Sequence, residues 1–295
     1  TPGHYVDIYA AIEQTPASPG HYVNSTGAVS QDPCSLGTYQ PNSSQTSCLD
    51  ADAGHYVSVT GSASQTACDY GTYQPSTGQS SCIDASAGYY VPSAGATNQT
   101  ACPVGTYQPS TGQSSCIESS PGHYVHTIAS TSQTPCDLGS YQPLYMQASC
   151  NLSDPGYHVP STGATNQTAC DPGTFQPNSG SSDCLDSPPG HYVDTSAAIT
   201  PTPCSAGTYN PDSGSSSPDA CIPSDPGNSV PADGSSFQTP CTPGHYQSSS
   251  GQTSCVEADA GYYVAAHGAS SQTSCGLGTY NPNTAQSSCT DASPG

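Results

Sequence analysis

The larger side chains of this chain fall on a fixed beat of 17 residues, separated by Ser, Thr, Gln, Gly and Pro. A Gly-x-Tyr triplet begins at Gly3, Gly20, Gly37, Gly54, Gly71, Gly88, Gly105, Gly122 and Gly139, and again at Gly173, Gly190, Gly207, Gly244, Gly261 and Gly278. Phe175 fills one aromatic position, while Gly156 and Gly227 keep the register with His158 and Ser229 in it. Gly295 closes the chain in phase, once three extra residues near Ser215 to Asp219 are allowed for. Val follows the Tyr at Val6, Val23, Val57, Val91, Val125, Val193 and Val264, which predicts a small strand in those modules. Turns are expected at Gly and Pro. Each Tyr is expected to pack on a neighbouring disulfide or on the next module and to supply most of the large apolar surface, about 150–250 Å² per buried aromatic.

The cysteines divide these modules into two kinds. Their gaps alternate 14 and 20, a double repeat of 34 residues, with one gap of 17 between Cys204 and Cys221. A period near 34 also describes helical repeats, but the Gly and Pro density and the scarcity of Leu, Glu, Lys and Arg argue against helices. In one kind of module the positions three before and eleven after the glycine are both Cys. In the other they hold Ala or Ser and then, almost always, Gln, as in Ala51 with Gln65, Ala85 with Gln99, Ser119 with Gln133, Ser153 with Gln167 and Ala258 with Gln272. Both positions are filled together or emptied together. That co-occurrence pairs Cys34 with Cys48, Cys68 with Cys82, Cys102 with Cys116, Cys136 with Cys150, Cys170 with Cys184, Cys204 with Cys221, Cys241 with Cys255 and Cys275 with Cys289. Each closed loop removes unfolded-chain entropy worth about 3 kcal/mol in the simplest model.

Composition sharpens this picture. Leu, Ile, Val and Phe make up 29 of 295 residues, too few for one large buried core. The fold class expected is therefore disulfide-rich, mainly β and irregular: an elongated, solenoid-like rod of 17-residue modules. Its parts are two cysteine-free modules (1–33), five 34-residue double repeats (34–203), a double repeat with the insertion (204–240) and terminal repeats (241–295). No Lys or Arg is present and the formal charge is −21. Nucleic-acid binding by phosphate neutralisation is thus excluded, and trypsin has no site to cut.

The segment Cys34-Ser-Leu-Gly-Thr-Tyr, closed by Cys48 and recurring from Cys68 and Cys102 onward, resembles cysteine-rich modules of two families. These are the tumour-necrosis-factor-receptor and ephrin-receptor-like repeats. The resemblance implies the same Cys pairing and stacking into elongated extracellular rods. The Cys-x-x-Cys steps that normally follow are absent and every second module lacks its bridge, so no ligand-binding position is carried over.

Paired cysteines imply an oxidising, extracellular or cell-surface location. Their spacing is wrong for tetrahedral zinc. Sequons stand at Asn24, Asn42, Asn98, Asn151 and Asn166, and the Ser/Thr/Pro-dense turns suit O-linked or hydroxyproline-linked sugars. His4, His21, His55, His123, His191 and His245 precede Tyr; a metal ladder needs two or more within reach of one ion, and His4 with His21 is the best pair. Acidic residues follow the closing Cys position at Asp50, Asp52, Asp84, Glu118, Asp186, Glu257, Asp259 and Asp291, offering at most weak calcium binding. No other cofactor is expected, and a unit repeated 17 times is a poor way to build one catalytic pocket.

The function expected is a glycosylated extracellular filament or stalk subunit that associates with itself into a fibre. The alternative is a spacer arm of a larger adhesin or receptor. Residues 1–5 and 291–295 are ordinary repeat sequence, with no initiator Met, signal peptide or membrane-spanning run. The expectation is a window of a longer repetitive chain, or a subunit that stacks end to end.

Overall fold

The computed structural model describes residues 1–293, so the in-phase Gly295 lies outside the described residues. The chain forms two compact units, Thr1–Cys136 with Gln142–Cys150, and Asp137–Tyr141 with Asn151–Gly295. Both are built from the same disulfide-rich module, and helix is nearly absent.

Positions are counted here from the repeated glycine as 0. Every module carries one antiparallel hairpin of two-residue strands: positions +1 and +2 pair with +13 and +12, or with Pro223 and Ile222 in the module of Gly207, where the insertion lies. His21–Tyr22 thus pairs with Asp32–Pro33, and Thr72–Tyr73 with Ile83–Asp84. Among the described residues there are 17 such hairpins, each its own sheet. The strand expected at Tyr-Val is present but ends at the Tyr, and it occurs in both kinds of module. The three extra residues form a single 3-10 turn, Pro218–Ala220, capped at its start by the Ser217 hydroxyl, which accepts from the Asp219 N–H.

Two constraints meet at position 0. The chain enters each hairpin through a tight turn in which the N–H at +1 donates to the carbonyl at −2, as from His21 to Ser18 at 2.9 Å. Gly20 there has φ +82°, the left-handed value that a type II turn requires. The second constraint is space. A Cβ built on Gly71 would fall on the carbonyl oxygen of Gly112, two modules further along; on Gly173 it would stand 2.6 Å from the Gly214 oxygen. No side chain fits at these positions.

The opposite holds at position +7, where φ is also positive. All six described non-glycine residues with positive φ lie there: Ala10, Ser44, Ala129, Met146, Ala197 and Ala285. A Cβ on Gly112 meets nothing closer than 3.5 Å. This position carries only the cost of the left-handed backbone, about 1 kcal/mol for Ala, and tolerates substitution.

Within each unit, a set of three backbone hydrogen bonds recurs between successive modules. In the first unit, Gly71 donates to Val91 (2.9 Å), Gln74 to Ala96 (3.0 Å), and Gly95 donates back to Cys68 (2.8 Å). The second unit repeats them, with Gly173 to Val193, Gln176 to Ala198 and Ala197 to Cys170 at 2.8, 3.0 and 2.9 Å.

Only small side chains fit between backbones this close, and they line the interior. At position −3, Ala51, Cys68, Ala85, Cys102 and Ser119 are fully buried. At +3, Val alternates with Gln: Val57, Gln74, Val91, Gln108 and Val125 are all at most 5% exposed. Beside them, Tyr22, Tyr56 and Tyr73 lie partly buried on the hairpin flank, while Val and the small residues at −3 are fully enclosed. The buried glutamines bridge their own loops. Gln74 Nε2 donates to the Ser81 carbonyl at 2.8 Å, and its Oε1 accepts from the Ser76 N–H at 3.2 Å. A buried amide so satisfied carries little desolvation cost.

These two glycine positions predict different responses to the same substitution. Gly71→Ala should destabilise its region by about 3 kcal/mol or more, and Gly78→Ala by about 1 kcal/mol, measured by urea titration followed by Tyr fluorescence. Equal losses at both would refute the close-approach explanation.

Candidate functional site

The recurring feature of the modules is a latch joining position −3 to position +11. In cysteine modules it is covalent. The structure joins Cys34–Cys48, Cys68–Cys82, Cys102–Cys116, Cys136–Cys150, Cys170–Cys184, Cys204–Cys221, Cys241–Cys255 and Cys275–Cys289. No described cysteine is free. The Cα–Cα distances, 5.5–5.8 Å, barely change even where Cys204–Cys221 spans 17 residues instead of 14. The 3-10 turn absorbs the insertion.

Cysteine-free modules close the same loop with an amide. The Gln at +11 folds back so that its Oε1 accepts from the backbone N–H at −2. Ser18 donates to Gln31, Asp52 to Gln65, Ser86 to Gln99, Ser120 to Gln133 and Asp154 to Gln167, all at 2.7–2.8 Å. Where position −2 is Asp, Gln Nε2 also donates to its carboxylate, as from Gln65 to Asp52 at 2.6 Å and from Gln272 to Asp259 at 2.7 Å. Where position −3 is Ser, its buried hydroxyl joins the next module: Ser119 Oγ accepts from the Gln147 N–H at 2.9 Å. The module starting at Gly190 tests the rule. Its −2 residue is Pro188, which has no N–H to donate, and its +11 residue is Pro201, whose side chain has no oxygen to accept. Donor and acceptor are lost together.

Over the latch lies position +2 of the preceding module. Tyr22 shares a shallow depression with Cys48, and Tyr56 another with Cys82. Where Tyr is replaced, the substitute bonds the closing sulfur: His158 Nδ1 lies 3.1 Å from Cys184 Sγ, and Ser229 Oγ 3.6 Å from Cys255 Sγ. Tyr on a neighbouring disulfide is therefore the arrangement at this position.

The remaining candidates are dispersed. Asn24, Asn42, Asn98, Asn151 and Asn166 are all exposed, four in loops and Asn151 in the strand Asn151–Leu152. His21, His55, His123 and His191 each direct Nδ1 at the carbonyl two residues before, at 3.2–3.4 Å, while His4 and His245 meet Thr hydroxyls at 3.4 Å. Among the described residues, no group of three or more metal-ligand types includes His4 or His21. Among the acidic residues, Glu257 accepts from the Thr284 hydroxyl at 2.8 Å, and Asp50, Asp84 and Asp186 lie beside turn glycines Gly78, Gly112 and Gly214. Among the described residues one trio of metal-ligand types converges, His158, Cys170 and Cys184, within 4.8 Å. Its two sulfurs are bonded to each other, so neither is the thiolate that a metal takes.

The family model described as "Tyrosine-protein kinase ephrin type A/B receptor-like" matches residues 20–68, 54–102 and 88–136. The three matches step by 34 residues, and each ends at the buried −3 cysteine of a cysteine module. Over residues 20–136 the chain carries cysteine-rich repeats of the ephrin-receptor-like type. The same latches and ladder bonds recur past the matched residues, as far as Cys289. Ephrin-receptor-like repeats with this density of disulfides fit an extracellular location, and among the described residues no helix is long and apolar enough to cross a membrane. No curated protein matches the chain.

Since the covalent and amide latches occupy one place, they should be interchangeable. The double variant Ala85→Cys with Gln99→Cys should form a ninth disulfide, detected by non-reducing peptide mapping, and Gln99→Ala alone should cost about 1 kcal/mol. New thiols at 85 and 99 that stay reduced beside an intact Cys102–Cys116 bridge would show that the two loops differ in shape.

Proposed function

We propose that this chain is a structural subunit of an extracellular, glycosylated filament or stalk. Its modules stack, its latches resist extension, and its sugars shield the backbone. The observation that carries this reading is the backbone ladder within each unit, in which three hydrogen bonds join a module to its neighbour and a latch closes nearly every loop. Such nearest-neighbour architecture sets length by module number and concentrates no chemistry at one place. The five exposed sequon asparagines and the exposed Ser/Thr-rich turns support glycan attachment. The absence of Lys and Arg suits a surface exposed to proteases.

The match to a receptor-like family supports a second reading, in which the repeats are a spacer arm presenting another domain of a surface protein. The exposed Pro218–Asp219 turn, unlike any other loop in the repeat, separates the two readings. Gold-labelled antibody against it should decorate native extracellular filaments at regular intervals. One label per isolated whisker on the cell surface would favour the spacer arm, and label confined to the cell interior would overturn both.

A further inference from the structure

We propose that the Cys170–Cys184 bridge, under His158, is a thiol-exchange site that takes small extracellular thiols and opens ahead of the other seven bridges. Seven of the eight modules with a bridge follow a module that offers Tyr or Ser at the covering position: Tyr22, Tyr56, Tyr90, Tyr124, Tyr192, Ser229 and Tyr263. Only Cys184 is covered by an imidazole. A disulfide sulfur carries no hydrogen, so the 3.1 Å contact is His158 Nδ1–H donating to Cys184 Sγ. An imidazole, unlike a phenol or an alcohol, offers a ring N–H donor on a group that can also exist as a cation.

The two sulfurs differ in access. Cys170 is fully buried, whereas Cys184 and His158 are half-buried, so an incoming thiol reaches Cys184 first. In the first step a thiolate attacks Cys184 Sγ and forms a mixed disulfide. The Sγ–Sγ bond breaks, and its electron pair leaves on Cys170 Sγ, which takes a proton from solvent. A second thiolate then attacks the small thiol's sulfur in that mixed disulfide. Cys184 departs as a thiolate and the oxidised small disulfide is released. The balance is two thiols oxidised for one protein disulfide reduced. The His158 N–H at Cys184 Sγ stabilises negative charge on that sulfur as the thiolate departs, and an imidazolium form would also draw the incoming thiolate. His158 acts here as a positioning and charge-pairing residue.

Cys241–Cys255 is the internal control. Its covering residue, Ser229, is also small and donates to sulfur at 3.6 Å, but bears no charge. If loss of the Tyr cover alone made a bridge labile, Cys255 would open as fast as Cys184.

The test uses the intact oxidised chain, incubated with glutathione, quenched with iodoacetamide, cut with chymotrypsin and Glu-C, and read as the rate at which each cysteine becomes labelled, by glutathione adduct or by alkylation. Cys184 should label about tenfold faster than Cys116 and Cys255, because exchange rates follow access and leaving-group stability. His158→Tyr should bring it within about twofold of Cys116, and Ser229→His should raise Cys255 labelling about tenfold. The proposal fails if Cys255 opens as early as Cys184 in the native chain, or if His158→Tyr leaves the order unchanged. Transfer of lability by Ser229→His is the result that a packing role for His158 would not produce.

Discussion

The structure depends on one close approach: the carbonyl oxygen at position +7 of a module occupies the place where a Cβ at position 0 would stand two modules earlier. Where two further modules of the same unit follow, glycine is therefore fixed by sterics as well as by its left-handed turn. With backbones this near, the space between them admits Ala, Ser or a half-cystine at −3 and one medium side chain at +3. Larger residues are displaced to the flank. The low content of Leu, Ile and Phe follows directly, because no place inside a module could hold them.

The latch is the second tier, and its chemistry is exchangeable. A disulfide acts largely on the unfolded chain, by an amount the simplest model puts at about 3 kcal/mol for such a loop. A Gln–backbone hydrogen bond acts in the folded state and contributes about 1 kcal/mol. From Gly37 onward the two kinds alternate, so that a weakly latched module such as that of Gly88 stands between two strongly latched ones, bonded to both through the backbone ladder. Module 190, with Pro188 and Pro201 and neither form of latch, is held by its hairpin, its ladder bonds and the Asn210 amide, which donates to the His191 carbonyl.

Much of this is legible in the sequence because it rests on residues with few substitutes. The beat of Gly, the paired loss of both cysteines and the recurrence of Gln65, Gln99 and Gln133 in the emptied position all point to one module in two forms. Other parts are hidden for physical reasons. Gln74 and Gln108 look like surface residues, since amides are seldom buried, until their loop hydrogen bonds are seen. The +7 turn is masked because Ala129 and Met146 stand where other modules have Gly. The contact across two modules involves a backbone carbonyl, which any residue supplies, so no side-chain pattern reports it. The contact of His158 with Cys184 is likewise silent: Tyr and His look interchangeable at that position until the sulfur beneath is located.

The central claim is that the glycine contact and the backbone ladder hold both kinds of module alike, with the latch as a local addition. Amide hydrogen exchange resolved by module tests it most directly. In the oxidised chain, the N–H groups of Gly71 and Gly88, and of Gln74 and Val91, should be protected to a similar degree, although the first of each pair lies in a disulfide module and the second does not. Rapid exchange at Gly88 and Val91 beside protected Gly71 and Gln74 would contradict the account, because it would mean that the disulfides alone hold the fold.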